Sequence, residues 1–257
     1  NVISGGSTGL IELLPCGNVR KVTYPESKAR RQSLRDIEHE FRVYQRLPRQ
    51  HDRLLQMIKY SLEDGLVLQY LSAGNLRRHL RQATANITVS QRLQWACDAA
   101  EALHLLHTHG IIHCDVKPEN FLLDGIYRLK IIDFSGSSYD GKVGSAIEGT
   151  RLFLPRSWDD ESTVQTDLFA LGSTMYEIMT GKQPYKELAD DKVEARYAQE
   201  IFPSVQSIHC GQIIMDCWRG QIKTVEEAMV SIGAEMETAN IPAYSCVPCS
   251  PTVCRVR

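Results

Sequence analysis

The sequence has 257 residues, 43% of them hydrophobic, and a formal net charge of −2. That is enough chain for a large core, as one bilobed domain or two small ones. The near-neutral charge gives no electrostatic ground for nucleic acid or an anionic membrane as the main partner. No window approaches the run of about 18 apolar residues that spans a bilayer, and the opening Asn1-Val2-Ile3-Ser4-Gly5 lacks the basic-then-apolar layout of a signal peptide. Of eight cysteines, Cys16, Cys97, Cys114, Cys210 and Cys217 are widely spread and read as free thiols, while Cys246, Cys249 and Cys254 crowd the end of the chain. Such spacing is no disulfide framework and points to a reduced, cytoplasmic or nuclear setting.

Residues 1–23 alternate short β-prone runs with glycine: Leu10 to Leu14, a turn at Pro15-Cys16-Gly17-Asn18, then Val19 to Val22. This pattern predicts antiparallel strands joined by tight turns. From Ser33 to Leu47 the apolar residues Leu34, Ile37, Phe41, Tyr44 and Leu47 recur at spacings of three and four, the stripe of an amphipathic helix. Strand-like runs follow at 54–60 and 66–71. After residue 75 the texture turns helical, with a helix from Ser90 to His109 that stops at Gly110. Residues 166–180 are apolar nearly all round, as in a buried helix, and Thr224 with Glu227 forms a capping-box pattern for a last helix. A small β-rich half before a larger helical half predicts an α+β chain with two lobes and a cleft: residues 1–71, residues 72–240, and a disordered tail over 241–257.

One segment carries chemistry outright: His113-Cys114-Asp115-Val116-Lys117-Pro118-Glu119-Asn120, followed by Asp133-Phe134-Ser135. Phosphoryl transfer to a hydroxyl needs an acceptor for the proton, oxygen ligands for Mg²⁺ and cations on the phosphates. A short loop here supplies a carboxylate (Asp115), an ammonium (Lys117) and an amide oxygen (Asn120). Residues 121–123 and 129–132 read as a hairpin turning at Asp124-Gly125, which would return a second carboxylate, Asp133, to the mouth of that loop.

On these residues the chain resembles the eukaryotic protein kinase family, of serine/threonine type and divergent, over residues 3 to about 238. The resemblance implies a bilobed protein-kinase-like fold, Mg·ATP as cofactor and a protein substrate. It makes Asp115 the base, places Lys117 on the γ-phosphate, and puts Asn120 and Asp133 on the metal. The glycine-rich run Ser4, Gly5, Gly6, Ser7, Thr8, Gly9 with Ile11 resembles the family's phosphate loop, although taken alone it reads better as an ordinary hairpin turn. Lys21 and, 19 residues on, Glu40 match the family's lysine–glutamate pair. Glu38 competes for that role, but the phase of Tyr44 and Leu47 favours Glu40. Leu68 to Leu71 resembles the segment that holds adenine, with Leu68 as gatekeeper and the Gln69 C=O and Leu71 N–H as hydrogen-bonding groups. Gly149 to Arg156 resembles the segment that docks peptides, with Thr150 touching Asp115 and Lys117. Asp167 would bond the backbone of the catalytic loop.

Four departures from the family pattern stand out. Cys114 replaces the arginine that pairs with a phosphorylated activation loop. Ser135 replaces a glycine, although Gly136 follows at once, and Ser4 replaces a loop glycine. Arg156 replaces a buried glutamate, and residues 217–223 show no arginine to match, so the ion pair is expected to be lost as a unit. The set is similar to variants among short fungal kinases. The expectation is a monomeric cytoplasmic (or nuclear) serine/threonine kinase, with no nucleic-acid or membrane partner. The alternative is a pseudokinase that binds nucleotide or acts as a scaffold. Smaller readings are Ser33 as a phosphorylation site after Arg30-Arg31, a metal group in His104, His107, His109 and His113, and a zinc site in the cysteine tail. Each has a plainer counterpart in a solvated helix start, separate histidines and disorder.

Overall fold

The computed structural model describes residues 1–6, 8–25, 27–83 and 86–241; the cysteine tail and Ser7 lie outside them. The first part of the chain builds one antiparallel sheet from β1 (Val2–Gly5), β2 (Leu10–Leu13), β3 (Val19–Val22), β4 (Met57–Ser61) and β5 (Gly65–Leu68), in spatial order β1-β2-β3-β5-β4. Lys21 pairs with Ile11 on one side and Leu66 on the other, so the lysine sits mid-sheet. The two-residue period of β3 turns Val19 and Lys21 to the same buried face.

Helix α1 (Ser27–Tyr44) packs behind this sheet. It starts six residues before the apolar stripe, and its inward face is not purely the apolar one. Ile37, Tyr44 and the following Leu47 are buried, and Phe41 stacks on Tyr60 of β4 at 4.3 Å. Leu34, expected inside, is 38% exposed, whereas Ser33 and Glu40 are buried. The helix faces a polar cleft, so its acidic residue is drawn in where a sequence stripe would place leucine. Ser33, at 2% exposure, is out of a modifying enzyme's reach, which overturns its reading as a phosphorylation site.

Beyond this lobe come α2 (Leu76–Ala83), α3 (Val89–Thr108), β6 (Ile111–Ile112), β7 (Phe121–Leu123), β8 (Leu129–Ile131), β9 (Ser138–Tyr139), α4 (Val164–Thr180), α5 (Asp190–Tyr197), α6 (Gly211–Trp218) and α7 (Val225–Thr238). β7 and β8 form the expected hairpin, and β6 pairs with β9. Helices α3 and α4 are the centre of the larger lobe: α3 packs on α4 and α7, and α4 on α6. Ala96, Ala99, Ala100 and Ala102 on α3 are fully buried, and such small side chains let neighbouring helices approach. Thr224 caps α7 by accepting from the Glu227 N–H at 3.3 Å. The fold is therefore bilobed, a small antiparallel sheet with one helix and a larger helical part. No helix among the described residues is long and apolar enough to cross a membrane. Cys16, Cys114, Cys210 and Cys217 are free thiols.

A buried charge cluster ties this architecture together. Asp98 of α3, fully buried, holds Arg53 at 2.9 Å, Arg128 at 2.6 Å and the Leu129 N–H of β8 at 2.9 Å. Removing it would leave Arg53 with Glu101, at 3.3 Å, as its carboxylate partner and take from Arg128 its carboxylate at 2.6 Å. Asp98→Ala is expected to cost about 3–5 kcal/mol, read as a lower urea midpoint at unchanged slope; a midpoint equal to that of the parent would refute this.

Candidate active site

Three segments remote in sequence meet at Lys21. Its Nζ donates to Glu40 Oε2 at 2.7 Å and to Asp133 Oδ1 at 2.8 Å, while lysine and glutamate are both buried. Glu38 instead pairs with Arg42 on the exposed side of α1, so the choice between the two glutamates is settled by geometry. Burial on its own would lower the lysine pKa; the charge of Glu40, then of Asp133, outweighs it and the net shift is upward. Burial pushes Glu40 up, partly offset by Lys21. Asp133 is pulled down to about 2, because Lys21 and a hydrogen bond from Ser135 outweigh its desolvation. Phe134 sits fully buried between the Tyr44 ring of α1 at 5.1 Å and the His113 ring at 5.7 Å, anchoring Asp133 from behind.

The loop after β6 is held by backbone capping. Asp167 of α4 accepts from the His113 N–H at 2.8 Å and the Cys114 N–H at 3.0 Å, as expected, and also bonds His107 Nε2 at 2.9 Å. Cys114 adopts a left-handed φ of 66°, which turns the chain so that Asp115 points to the cleft. His113 Nδ1 accepts from the Asp115 N–H at 3.2 Å, so the proton belongs on Nε2, which donates to the Ile132 C=O at 3.0 Å. Within the loop, Lys117 donates to Asp115 Oδ2 at 2.5 Å. Asn120 Nδ2 donates to the Asp115 C=O at 2.9 Å and to Oδ2 at 3.1 Å. Two supports were not read from the sequence. Ser137 Oγ donates to the His113 C=O, and His39 of α1 bonds the Ser137 C=O at 2.7 Å, linking helix and loop. The other histidines have separate partners, His104 on Glu226 and His109 on the Leu105 C=O.

The donor set fits a hard divalent cation. Both hydrogen bonds received by Asp133 fall on Oδ1, leaving Oδ2, and the Asn120 amide nitrogen is committed to Asp115, leaving its oxygen. At the edge of the sheet beyond Lys21, β1 and β2 pair Ser4 with Ile11 and Gly5 with Leu10, and the Gly6 N–H closes the turn on the Gly9 C=O at 3.0 Å. The Tyr24 hydroxyl donates to the Gly6 C=O and braces the turn, which Thr8 also belongs to. A Cβ at Gly9 would stand 2.6 Å from the Val22 C=O, so only glycine lets β2 and β3 close beside Lys21. Leu68 is buried at the end of β5; the Gln69 N–H is spent on the Gln56 C=O at 2.9 Å, and Leu71 packs on the core edge.

The departures each find a local answer. Ser135 Oγ donates to Asp133 Oδ1 at 2.8 Å. Gly136 is a close-approach residue rather than a hinge, because a Cβ there would lie 2.4 Å from Ala146 Cβ. Cys114 is buried and its thiol is pushed up to about 12, mainly by burial, so it stays protonated. Among the described residues Arg156 makes no ion pair with the 217–223 segment; it meets instead Glu148, itself 1% exposed at the side chain, at 2.9 Å, and its guanidinium lies over the Phe153 ring at 4.3 Å. The acid lies eight residues upstream, with the two signs exchanged along the chain. Thr150 makes no hydrogen bond to Asp115 or Lys117 among the described residues; it lines a pocket of about 330 Å³ with Phe153, Pro155, Arg156, Trp158 and Tyr197.

A bilobed fold with a buried lysine–glutamate pair beside an Asp-Lys-Asn loop and a second carboxylate defines a protein kinase domain. The family model described as protein tyrosine and serine/threonine kinase matches residues 19–225, and the chain belongs to that family. Among similar proteins, the leucine-rich repeat receptor protein kinase EMS1 of Arabidopsis thaliana is 29% identical over 83% of this chain and 19% of its own length. Receptor-like protein kinase ANXUR1 of the same plant is 27% identical over 93% of this chain and 30% of its own. The RGS domain-containing serine/threonine-protein kinase A of Dictyostelium discoideum is 27% identical over 76% and 18%. The chain thus spans less than a third of each of these relatives.

Two tests follow from the charges. Asp133 contributes stability above its ordinary pKa of 3.8 that is lost as pH falls towards 2, and Lys21 contributes below 10.5 and loses it only above its raised value. In Lys21→Met, carboxyl NMR should find Asp133 titrating well above 2, near the ordinary carboxylate range; an unmoved midpoint would count against the pairing. Arg156→Ala, which strands Glu148, should cost about 3 kcal/mol or more. Exchanging the two, Arg156→Glu with Glu148→Arg, should restore most of the melting temperature, and no recovery would contradict the pairing.

Proposed function

We propose that this chain transfers the γ-phosphate of Mg·ATP to a serine or threonine hydroxyl of a protein. The observation that carries this reading is the placement of Lys21 between Glu40 and Asp133, opposite the Asp115–Lys117–Asn120 loop. Lys21, oriented by Glu40, would hold the α- and β-phosphates, and the backbone of the Gly5–Gly9 turn would cover them. Asp133 and Asn120 would hold the metal, which would offset the charge of the phosphates.

Asp115 is fixed by Asn120 and by its own N–H on His113, so its carboxylate is positioned to orient an acceptor hydroxyl and take its proton. Lys117, now on Asp115 at 2.5 Å, lies where it can shift its ammonium to the transferred phosphoryl group. Lysine two residues after the base is the feature that favours serine or threonine over tyrosine. Leu68, Gln69 and Leu71 would receive the adenine. None of Cys114, Ser135 or Arg156 occupies a phosphate-binding or metal-binding position, which favours turnover over a purely scaffolding role.

Labelled Mg·ATP with a generic serine/threonine substrate tests this. Incorporation is expected, falling about 10²–10⁴-fold in Asp115→Asn. Absence of incorporation, with Mg·ATP still raising the melting temperature, would replace this reading by a nucleotide-binding pseudokinase.

A further inference from the structure

Helix α2 lies directly against the catalytic loop. The Gly74 C=O accepts from the Leu123 N–H at 2.9 Å, Asn75 bridges to Leu122, and α2 packs on the turn of residues 118–120. Between them opens a cavity of about 280 Å³ lined by Asn75, Arg77, Arg78, Arg81, Gln82 and Glu119. Glu119 follows Lys117 by two residues, so this cavity adjoins the place where an acceptor hydroxyl must arrive.

Its charge is set by one buried side chain. Arg77 spans Glu119 Oε1 at 2.5 Å and Glu177 Oε2 at 2.7 Å, and Gln183, with its amide turned, adds its oxygen at 2.9 Å. The second oxygen of Glu119 is buried and accepts no hydrogen bond among the described residues, so it is closed off by burial and not by Arg77. Both carboxylates are therefore turned onto an arginine of the same chain and are not presented to a visitor. What remains open is basic: Arg78 and Arg81 are exposed on the same helix and form no ion pair among the described residues. Asn75 Oδ1 is occupied in capping the Arg78 N–H at 2.9 Å, so it offers no acceptor to a cation either.

We propose that this cavity selects acidic substrate segments: an aspartate or glutamate of the peptide, near its phosphorylated hydroxyl, docks on Arg78 and Arg81, while Arg77 engages Glu119 and Glu177 so that three arginines outweigh two carboxylates around the cavity. The inference rests on the kinase reading for the identity of the peptide as substrate, but not for the binding itself. Carboxylate–guanidinium pairing is planar and bidentate, so two arginines one helical turn apart can grip an acidic side chain. Arg77 is a positioning residue for specificity and touches no reacting atom.

The test uses fluorescent peptides with alanine in place of the acceptor serine, flanked by glutamates, alanines or arginines, binding to the chain in the presence of Mg·ATP. The glutamate peptide should bind about tenfold more tightly than the alanine one, a difference of 1.4 kcal/mol, and the gain should shrink with added salt. The double variant Arg78→Glu/Arg81→Glu, altering only exposed positions, should erase that preference while leaving the melting temperature and its rise with Mg·ATP unchanged. Tighter binding of the arginine peptide, or a glutamate preference untouched by the double variant, would overturn the proposal. Because binding is read without turnover, the two readings fail separately. Acidic peptides that bind but whose serine versions are never phosphorylated would sink the transferase reading alone. Efficient phosphorylation of arginine-flanked serines in preference to acidic ones would sink the pocket alone.

Discussion

The structure turns on a single ammonium group. An unpaired lysine in the interior would lose its proton or unfold its surroundings; Lys21 keeps its charge because Glu40 and Asp133 reach it from two directions. That requirement fixes the phase of α1, the depth at which β3 meets β2 and β5, and the path of the chain after β8. The β-rich lobe and the helical lobe are thus joined at their polar interface by electrostatics rather than by apolar contact alone. The arrangement is also asymmetric: Glu40 is buried behind the lysine, whereas Asp133 retains a side open to the cleft.

Around this centre the larger lobe behaves as a mould for one loop. Asp167 in the buried helix α4 caps two successive N–H groups, His113 links the loop to Ile132, and Ser137 closes it from the other side. These groups are buried, so leaving any one unpaired would cost more than its hydrogen bond contributes. Further out, Arg46 of the chain just after α1 pairs with Asp140 at 2.5 Å and stacks over Tyr139, so the segment after Asp133 is gripped by the smaller lobe too.

Much of this could be read along the chain. The Asp124-Gly125 corner announced the hairpin that returns Asp133, and the spacing of Tyr44 and Leu47 pointed Glu40, not Glu38, inward. What was missed has physical reasons. Helices α2, α5 and α6 are eight residues each, two turns, too short to show a periodic stripe. Leu34 was misassigned because periodicity counts apolar residues and cannot know that a helix borders a charged cleft. Glu148 went unnoticed because the partner of position 156 was sought far downstream, at residues 217–223, and not eight residues upstream. Arg77 carries no signature at all; only the convergence of Glu119 and Glu177, 58 positions apart in sequence, reveals what it does.

The short span between Glu148 and Arg156 has a consequence of its own. An ion pair that bridges distant parts of a lobe must wait until both are folded, and its loop-closure entropy grows with the chain between them. Here the pair closes within a single segment, so its own loop-closure cost is small, while the turn at residues 150–152 between its ends stays packed on α4 and α5 and tied through Arg151 to Asp190. The segment thereby carries its own clasp, closed before the longer-range contacts that seat it on the lobe.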